Sequence, residues 1–525
     1  MNRSLLLLAL AATLTQGCAL RYWKAGFQEP GPLTTDAPFV KLHLVDGSVA
    51  VYGAKWTQTD AVFSGFGILY DDQRAVVKRG EVRVPMSAVA LIETNTPAKV
   101  NDPSVALMGV ATGASLAATG ICVSTPKACF GSCPTFYTQT PDGVALQAEG
   151  FSAAVSPALE HADTDALFTA VATTGGPLTL SLTNEALETH HIRTVEVLAV
   201  PRSASGRAWR SGDRYFAGSE TVPPTSCESD TGPCLDAVLA VDDASWISPS
   251  DPEDLAAPAN LVVTLPPPPT TGANKGGVVV AARQGLVTTF VFYQALDWMG
   301  PSAGRLQAAV ANGSTDTAER LNAASALLAQ LHVQAQTPDG WVDIGTFREV
   351  GPIAREVEVF ALPDNAVEPV QVRLSGAAGS WRIDHIGRVS LDRPVRPVVL
   401  PISAVQDADG EPQTQVLERF LDPERFVVNN PGTRYDLVFD VPKTEQGWEL
   451  FVRSQGYYTE WMREPWMQDS NPMALARLIR HPERSLRDLA APYKALEPDA
   501  ERLFWASRVE LERPPTSDST QVGTP

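Results

Sequence analysis

The stretch Trp381-Arg-Ile-Asp-His-Ile-Gly-Arg-Val-Ser-Leu391 alternates apolar and polar residues over most of its length. Successive side chains of a β-strand point to opposite faces, so a period of two is typical of a strand with one buried face. The same alternation occurs in three earlier segments, which are Trp341-Val-Asp-Ile-Gly-Thr-Phe347, Val357-Glu-Val-Phe360 and Val370-Gln-Val-Arg-Leu374. Strands in this order predict a jelly-roll-like β-sandwich over residues 336–440.

A second β-sandwich-like domain is predicted before this region, over residues 125–262. Pro141-Asp-Gly143 places an Asp-Gly pair between strand-like runs, which is a hairpin signal. The motif Cys129-Phe-Gly-Ser-Cys-Pro-Thr-Phe-Tyr137 opens a segment that resembles uncharacterised bacterial envelope proteins, and this resemblance implies no activity. The run from Val370 to Leu391 is similar to strands of carbohydrate-binding, galactose-binding-like domains, which host many functions.

Residues 38–97 are predicted to form a small β-barrel or roll. Strand-like runs begin at Val40, Val49 and Val89, and Asp46-Gly47 supplies a turn between the first two. The segment resembles the small SH3- or Sm-like barrels of bacterial envelope proteins. Four or five short strands within so few residues fit that architecture.

The segments between and after these β-domains carry the predicted helices. Residues 98–124 include a run without charges at 105–123, which forms either a helix or hairpin packed on the protein or a contact with a membrane or a second copy. Residues 263–335 combine the proline tract at 266–269 with an ambiguous segment at 285–299 and a helix at 315–331.

C-terminal helices are predicted over residues 441–510, including an aromatic-rich one at 445–466. The Pro/Ser/Thr-rich residues 511–525 are predicted to be disordered. The expected fold class is therefore mainly β with α, in several domains: a small β-barrel or roll, β-sandwich-like domains and C-terminal helices.

The first eighteen residues resemble a bacterial lipoprotein signal peptide. Arg3 precedes an apolar run at 5–14, and Thr15-Gln-Gly-Cys18 follows, with Thr15 where that family usually has Leu. The resemblance implies removal of residues 1–17, acylation of Cys18 (palmitate) and a tether over residues 18–37. Ala19, rather than Asp, implies the outer membrane, on its periplasmic or its surface face. Ordinary secretion without acylation is the alternative.

The charge balance restricts the partners of this chain. Its formal net charge is −19. No stripe of Lys or Arg interrupts this excess, so binding to nucleic acid is not expected, and an anionic membrane surface is equally unattractive. Attachment to a membrane is therefore expected to come from acyl chains on Cys18.

The remaining cysteines are expected to be oxidised in an exported chain. The simplest pairs are Cys129 with Cys133 and Cys227 with Cys234, which leaves Cys122 unpaired. A zinc site built from four cysteines is the alternative, but the second pair is spaced more widely than zinc knuckles are.

Two groups of residues carry the types needed for a reactive site. Gly300-Pro-Ser-Ala-Gly304 matches the nucleophile elbow, which makes Ser302 the candidate catalytic residue, with Asp384 and His385 as conceivable partners. An ordinary turn is the favoured interpretation. A metal site is conceivable at the acidic segment formed by Glu160, His161, Asp163 and Asp165, although a solvated turn is favoured. No cofactor is predicted.

A possible binding face consists of Tyr457, Tyr458, Trp461 and Trp466 at near-helical spacing. Simple packing of these aromatic residues against the β-domains is the favoured alternative. The leading functional hypothesis is an envelope lipoprotein that acts as a structural or binding component and contacts another envelope protein or a glycan. The alternative is an exported hydrolase acting on a glycan or a peptide, with its site near Ser302 or between the sandwich at 330–400 and the C-terminal helices.

Overall fold

The computed structural model describes residues 21–99, 133–300, 326–460 and 471–511, with short gaps at 29, 34–38, 45–47, 72–75, 141–142, 156, 169–172, 203–205, 243, 268–274, 349 and 510. The expected signal peptide, the apolar run at 105–123 and the tail at 512–525 lie outside these residues. Strands predominate in the described part and a helical region follows near the C-terminus, which confirms the predicted fold class. The chain divides into two compact units, residues 1–120 with 462–470 and residues 121–461 with 471–525.

The first unit contains an antiparallel sheet with the strand order β1-β6-β2-β3-β4-β5. The strands are β1 (Arg21–Gln28), β2 (Phe39–Leu44), β3 (Val49–Gln58), β4 (Val62–Tyr70), β5 (Val76–Pro85) and β6 (Val89–Lys99). A 3-10 turn at Met86–Ala88 leads from β5 into β6, which returns to pair with β2. Val40, Tyr52, Phe63 and Ile92 lie in its core. These strands form the small roll predicted from the sequence.

Strand β1 was not predicted, because residues 18–37 were expected to be a tether. Its eight residues pair with β6, from Arg21 opposite Lys99 to Gln28 opposite Ile92. The backbone hydrogen bonds that hold β1 therefore come from a strand far along the chain. Local periodicity carries no information about such a partner.

The second unit is built from twenty-one strands in its described residues. In chain order they are β7 (Thr135–Thr140), β8 (Gly143–Glu149), β9 (His161–Ala166), β10 (Gly176–Thr183), β11 (Glu188–Pro201), β12 (Arg207–Ser211), β13 (Arg214–Gly218), β14 (Ser226–Ser229), β15 (Gly232–Pro233), β16 (Pro258–Leu265), β17 (Lys275–Gln284), β18 (Leu331–Thr337), β19 (Gly340–Phe347), β20 (Glu356–Ala361), β21 (Val370–Ala377), β22 (Trp381–Val395), β23 (Val398–Pro401), β24 (Ala404–Asp407), β25 (Val427–Asn429), β26 (Arg434–Val441) and β27 (Trp448–Glu460).

These strands form two β-sandwiches, one inserted into the other. The outer sandwich pairs a sheet of order β24-β26-β10-β7-β8 with a sheet of order β23-β11-β27-β9, and one apolar core fills the space between them. The inner sandwich pairs the sheet β12-β13-β22-β17-β20 with the sheet β15-β14-β16-β21-β18-β19 around a separate core. All strands of the inner sandwich lie between β11 and β23 in sequence.

This nesting crosses the domain boundaries expected at residues 262 and 336. Strand β10 pairs with β26, and β11 pairs with β27 over most of its length. The two sandwiches contact each other through Leu198, Val200 and Phe451 of the outer one and Ala208 and Tyr215 of the inner one.

Four α-helices are described in this unit: α1 (Val287–Met299), α2 (Thr414–Phe420), α3 (Pro472–Arg480) and α4 (Pro482–Ala506). The ambiguous segment at 285–299 is thus helical. The side chain of Asn471 caps α3 by accepting a hydrogen bond from the backbone N–H of Ala474 at 3.0 Å. Helix α4 packs on α1, with the rings of Phe290 and Tyr493 5.2 Å apart. None of the described helices is long and apolar enough to cross a membrane.

One helix prediction is wrong, and another falls largely outside the described residues. The aromatic-rich segment predicted as a helix at 445–466 contains strand β27 instead. A Cβ atom added to Gly456 would lie 2.3 Å from the carbonyl oxygen of His191, so the glycine permits the close pairing of β27 with β11. The helix predicted at 315–331 is described only from residue 326, where four helical residues precede strand β18, which already begins at Leu331.

Candidate functional site

A cleft of about 250 Å³ opens where the outer sandwich, the inner sandwich and helix α4 meet. We call it the junction cleft. The outer sandwich contributes Gln147 and Phe168, helix α4 contributes Trp505, and the inner sandwich contributes most of the polar lining. These polar residues are Asp242, Ser245, Arg283, Arg355, Arg382 and Asp384.

Strand pairing explains how the inner sandwich concentrates charge at this point. Arg283 of β17 lies opposite Arg382 of β22 in the register of the sheet. Asp384 follows two residues after Arg382, at an irregularity in the pairing of β22 with β17, and it lines the same cleft. Like charges directly opposite each other are destabilising in a sheet, so this pair needs a counter-ion.

Glu501 of helix α4 supplies that counter-ion. Its Oε1 atom accepts hydrogen bonds from Nε of Arg382 at 2.7 Å and from Nη1 of Arg283 at 3.3 Å. Burial disfavours the charged form of Glu501, yet the two guanidinium groups outweigh it and hold the pKa of this carboxyl below its usual value. Burial likewise lowers the pKa of Arg283, against the attraction of Glu501.

Arg355 has a different set of partners. Its Nη1 atom donates to Oδ2 of Asp384 at 2.5 Å and to the carbonyl oxygen of Asp242 at 2.9 Å. Burial raises the pKa of Asp384, and the charge of Arg355 partly offsets this effect. The side chain of Arg355 is nevertheless one-third exposed, so its guanidinium group is accessible from the cleft.

Two aromatic rings form walls of the cleft. Phe168 and Trp505 are 36% and 37% exposed, so part of each ring is accessible. The guanidinium carbon of Arg355 lies 5.8 Å from the ring centroid of Phe168. Trp505 is held by a hydrogen bond from its Nε1 atom to Oε2 of Glu501 at 3.1 Å.

Gln147 is an almost completely buried polar residue of the lining, with 2% exposure to solvent. Its Nε2 atom donates to the carbonyl oxygen of Ala145, but its Oε1 atom is buried without a hydrogen-bond donor among the described residues. A buried acceptor in this state is costly, because it has lost water without gaining a partner.

Glu149 connects the two sandwiches directly beside the cleft. Its Oε2 atom accepts hydrogen bonds from the backbone N–H groups of Ile353 and Ala354, at 2.7 and 3.2 Å. Burial raises the pKa of Glu149 to about 7, although these hydrogen bonds oppose the shift. A Cβ atom at Gly351 would lie 2.5 Å from the carboxyl group, and the residue has φ +81, so this position favours glycine.

The candidate metal ligands do not assemble into a site. Glu160 forms an ion pair with Arg193, and Nδ1 of the exposed His161 lies 3.1 Å from the carbonyl oxygen of Leu159. Asp163 and Asp165 lie towards the interior, where burial raises the pKa of both. In the described part of the chain, no group of three or more His, Cys, Asp or Glu side chains is placed to hold a metal ion.

The possible aromatic binding face is not formed by its two described members, which pack in the interior as the favoured interpretation expected. Tyr457 and Tyr458 are 1% and 6% exposed and belong to the core of the outer sandwich. Tyr457 stacks on His191 with ring centroids 4.5 Å apart. The segment is a strand rather than a helix, and both tyrosines are covered. Trp461 and Trp466 lie outside the described residues.

The described cysteines differ in whether they form a disulfide bond. Cys227 and Cys234 are joined by a disulfide bond within the inner sandwich. Cys133 is a buried free thiol, whereas the sequence predicted a pair with Cys129. Burial raises the pKa of Cys133 well above its usual value. Cys18, Cys122 and Cys129 lie outside the described residues.

Ser302 also lies outside the described residues. The two residues considered as its partners are engaged elsewhere. Asp384 is bound by Arg355, and Nδ1 of His385 lies 3.0 Å from the carbonyl oxygen of Leu239. Burial lowers the pKa of His385, so its neutral form is favoured.

Sequence reasoning missed the arginines of the junction cleft. Arg382 occupies a polar position of the alternating stretch that predicted the strand, and such positions are normally solvated. Glu501 and Trp505, which are far from Arg382 in the sequence, partly cover this strand face. The available signal was the presence of Arg382 and Asp384 two residues apart in one strand.

No protein-family model matches the chain. No curated protein matches it either. Among solved structures, the secreted serine protease VesC from Vibrio cholerae is similar at 9% sequence identity, over 70% of this chain and 98% of that chain, with a TM-score of 0.13. A TM-score this low carries no information about fold or function.

Proposed function

We propose that this chain is a lipid-anchored lipoprotein of the bacterial outer membrane that binds a glycan or protein of the cell envelope. The anchor is acylated Cys18, and the binding site is the junction cleft. The lipoprotein-like residues 1–18 support the location, and the cleft supports the binding role.

The single observation that carries the binding role is how the cleft is assembled. Its lining comes from both sandwiches and from helix α4, which are separate in sequence. Binding sites occur preferentially as concave surfaces where domains meet, with a few convergent polar groups among apolar ones. Arg355, Phe168 and Gln147 provide a charge, an aromatic surface and a buried acceptor at one such place.

The anchor is tested by intact mass and membrane fractionation in a Gram-negative host, comparing the wild type with Cys18→Ser. The wild type is expected to gain the mass of acyl chains and to remain with the outer membrane. Both properties are expected to disappear in the variant, because the thiol that accepts the lipid is absent. A wild-type protein that is soluble and unacylated contradicts the anchor.

The binding role is tested by placing a photo-crosslinking amino acid at Phe168 in living cells. An adduct is expected there, because the ring of Phe168 is exposed at the cleft. The control is the same substitution at Leu421, which is 57% exposed and is not among the residues that line the cleft. Equal labelling at both positions, or none at Phe168, contradicts the proposal.

A further inference from the structure

The unused hydrogen-bonding capacity of the junction cleft defines the chemistry of its ligand. Arg355 engages Asp384 and Asp242 through Nη1, and Arg382 engages Glu501 through Nε. The remaining N–H groups of these two side chains have no partner among the described residues. The side chain of Arg355 is 33% exposed and that of Arg382 is 22% exposed. Guanidinium groups bind carboxylates strongly because two parallel N–H groups match two oxygens.

The second requirement comes from Gln147. Its Oε1 atom lacks a donor in the described structure although the residue is almost completely buried. A ligand that satisfies this atom must bring an O–H or N–H group into the cleft. Acetate, which has neither an O–H nor an N–H group, leaves Gln147 as it is.

The third requirement comes from the walls and the size of the cleft. Phe168 and Trp505 present partly exposed rings, against which the C–H face of a sugar ring can pack. A volume of about 250 Å³ is below the roughly 300–1,000 Å³ of sites for drug-sized ligands. The cleft therefore suits a single ring rather than an extended chain.

We infer that the junction cleft binds a sugar that carries a carboxylate, such as a uronic acid unit of an envelope glycan. The carboxylate lies between Arg355 and Arg382, a hydroxyl group donates to Gln147, and the ring lies against Phe168 or Trp505. This inference rests on the proposed binding role and specifies its ligand. It does not depend on the lipid anchor.

The test is isothermal titration of the full-length protein in detergent with glucuronate and galacturonate, and with glucose and galactose as neutral counterparts. The acidic sugars are expected to bind at least about tenfold more tightly, since a hydrogen bond to a charged group contributes at least that factor. Acetate, inorganic phosphate and N-acetylphenylalanine are titrated alongside. Equal affinity for acidic and neutral sugars overturns the inference.

Variants separate the three contacts. Arg355→Gln and Arg382→Gln are each expected to weaken glucuronate binding about tenfold, and Gln147→Leu to weaken it while leaving acetate unchanged. Arg502→Gln is the matched control, because Arg502 is exposed on α4 and bonded to Asp499. Phe168→Ala touches none of the ion pairs, so it tests the ring wall even if an arginine variant fails to fold.

Three further results overturn the inference. Acetate or phosphate as tight as glucuronate means an adventitious ion only, and tighter binding of N-acetylphenylalanine assigns the cleft to a peptide terminus. Absence of heat with both acidic sugars removes the proposed ligand class. In each case, labelling at Phe168 in cells still reports separately on the binding role.

Discussion

The buried carboxyl group of Glu149 joins the two sandwiches, and its contribution to the free energy of unfolding depends on pH. It accepts two backbone N–H groups of the inner sandwich, but it is 1% exposed and its pKa is raised to about 7 by burial. The folded protein therefore holds this proton at pH values where the unfolded chain, with a value near 4.5, has lost it. The stability that the protonated carboxyl contributes is present below pH 4.5 and is lost as the pH rises towards 7.

Glu149→Gln is expected to remove this pH dependence. The amide oxygen of Gln can still accept both N–H groups, and the side chain never ionises. Between pH 5 and pH 8 the wild type should lose about 2 to 3 kcal/mol more unfolding free energy than the variant. Urea unfolding at both pH values measures the difference, with the exposed Glu228→Gln as control. Parallel pH profiles for the wild type and Glu149→Gln would exclude Glu149 as the group responsible.

Helix α4 is the element that closes the junction cleft, and the carboxylate of Glu501 is one of the groups that hold it there, together with Glu497 and Lys494, which bond to the backbone of Ser250. Glu501 bridges Arg283 and Arg382 of two neighbouring strands and also orients Trp505. After the helix, the backbone N–H of Val509 donates to the carbonyl oxygen of Glu185 in the outer sandwich, at 2.7 Å. The helix therefore stabilises the arrangement of the two sandwiches as well as the cleft.

Glu501→Gln is expected to lower the free energy of unfolding by about 1 to 3 kcal/mol, because it leaves two partly buried arginines opposite each other. Asp499→Asn is the matched control on the same helix, where loss of an exposed ion pair should cost less than about 0.5 kcal/mol. Urea unfolding measures the loss of unfolding free energy, and hydrogen exchange shows whether helix α4 loses protection. Equal effects of the two variants would show that Glu501 does not hold α4.

The sequence correctly predicted the strands and turns that depend on a local pattern of residues. The alternation around Trp381–Val395 and the turn before Gly143 correspond to β22 and to the β7–β8 hairpin. Strands β1 and β27 were missed because their partners lie far along the chain. A site between the sandwich at 330–400 and the C-terminal helices was one of two expected for a hydrolase, but the arginines of the junction cleft were missed, since Arg382 becomes a site residue only when α4 covers its strand face.

The whole second unit is a sandwich within a sandwich, and this predicts different behaviour of its fragments. The inner sandwich has its own core, and all of its described strands lie within residues 207–395. The outer sandwich needs strands from both ends of the unit, since β10 pairs with β26 and β11 with β27.

A fragment of residues 206–396 is therefore expected to unfold cooperatively in urea, whereas residues 133–201 alone are expected to show no cooperative transition. Circular dichroism measures both, and the disulfide between Cys227 and Cys234 can be checked by mass. A cooperative transition in the shorter fragment would contradict the dependence of the outer sandwich on strands from both ends of the unit. Its absence in the longer fragment would contradict an independent core in the inner sandwich.

The nesting also fixes an order of events during translation. The ribosome delivers every strand of the inner sandwich before it reaches β23, so that sandwich has all its partners while the outer one still lacks half of its strands. Until Trp448–Glu460 emerges, β11 lacks the strand with which it pairs over most of its length. The inner sandwich thus has all of its strands first, and the two parts of the outer sandwich pair afterwards. The ends of the inserted segment are held together where β11 pairs with β23, with Ala199 opposite Val398.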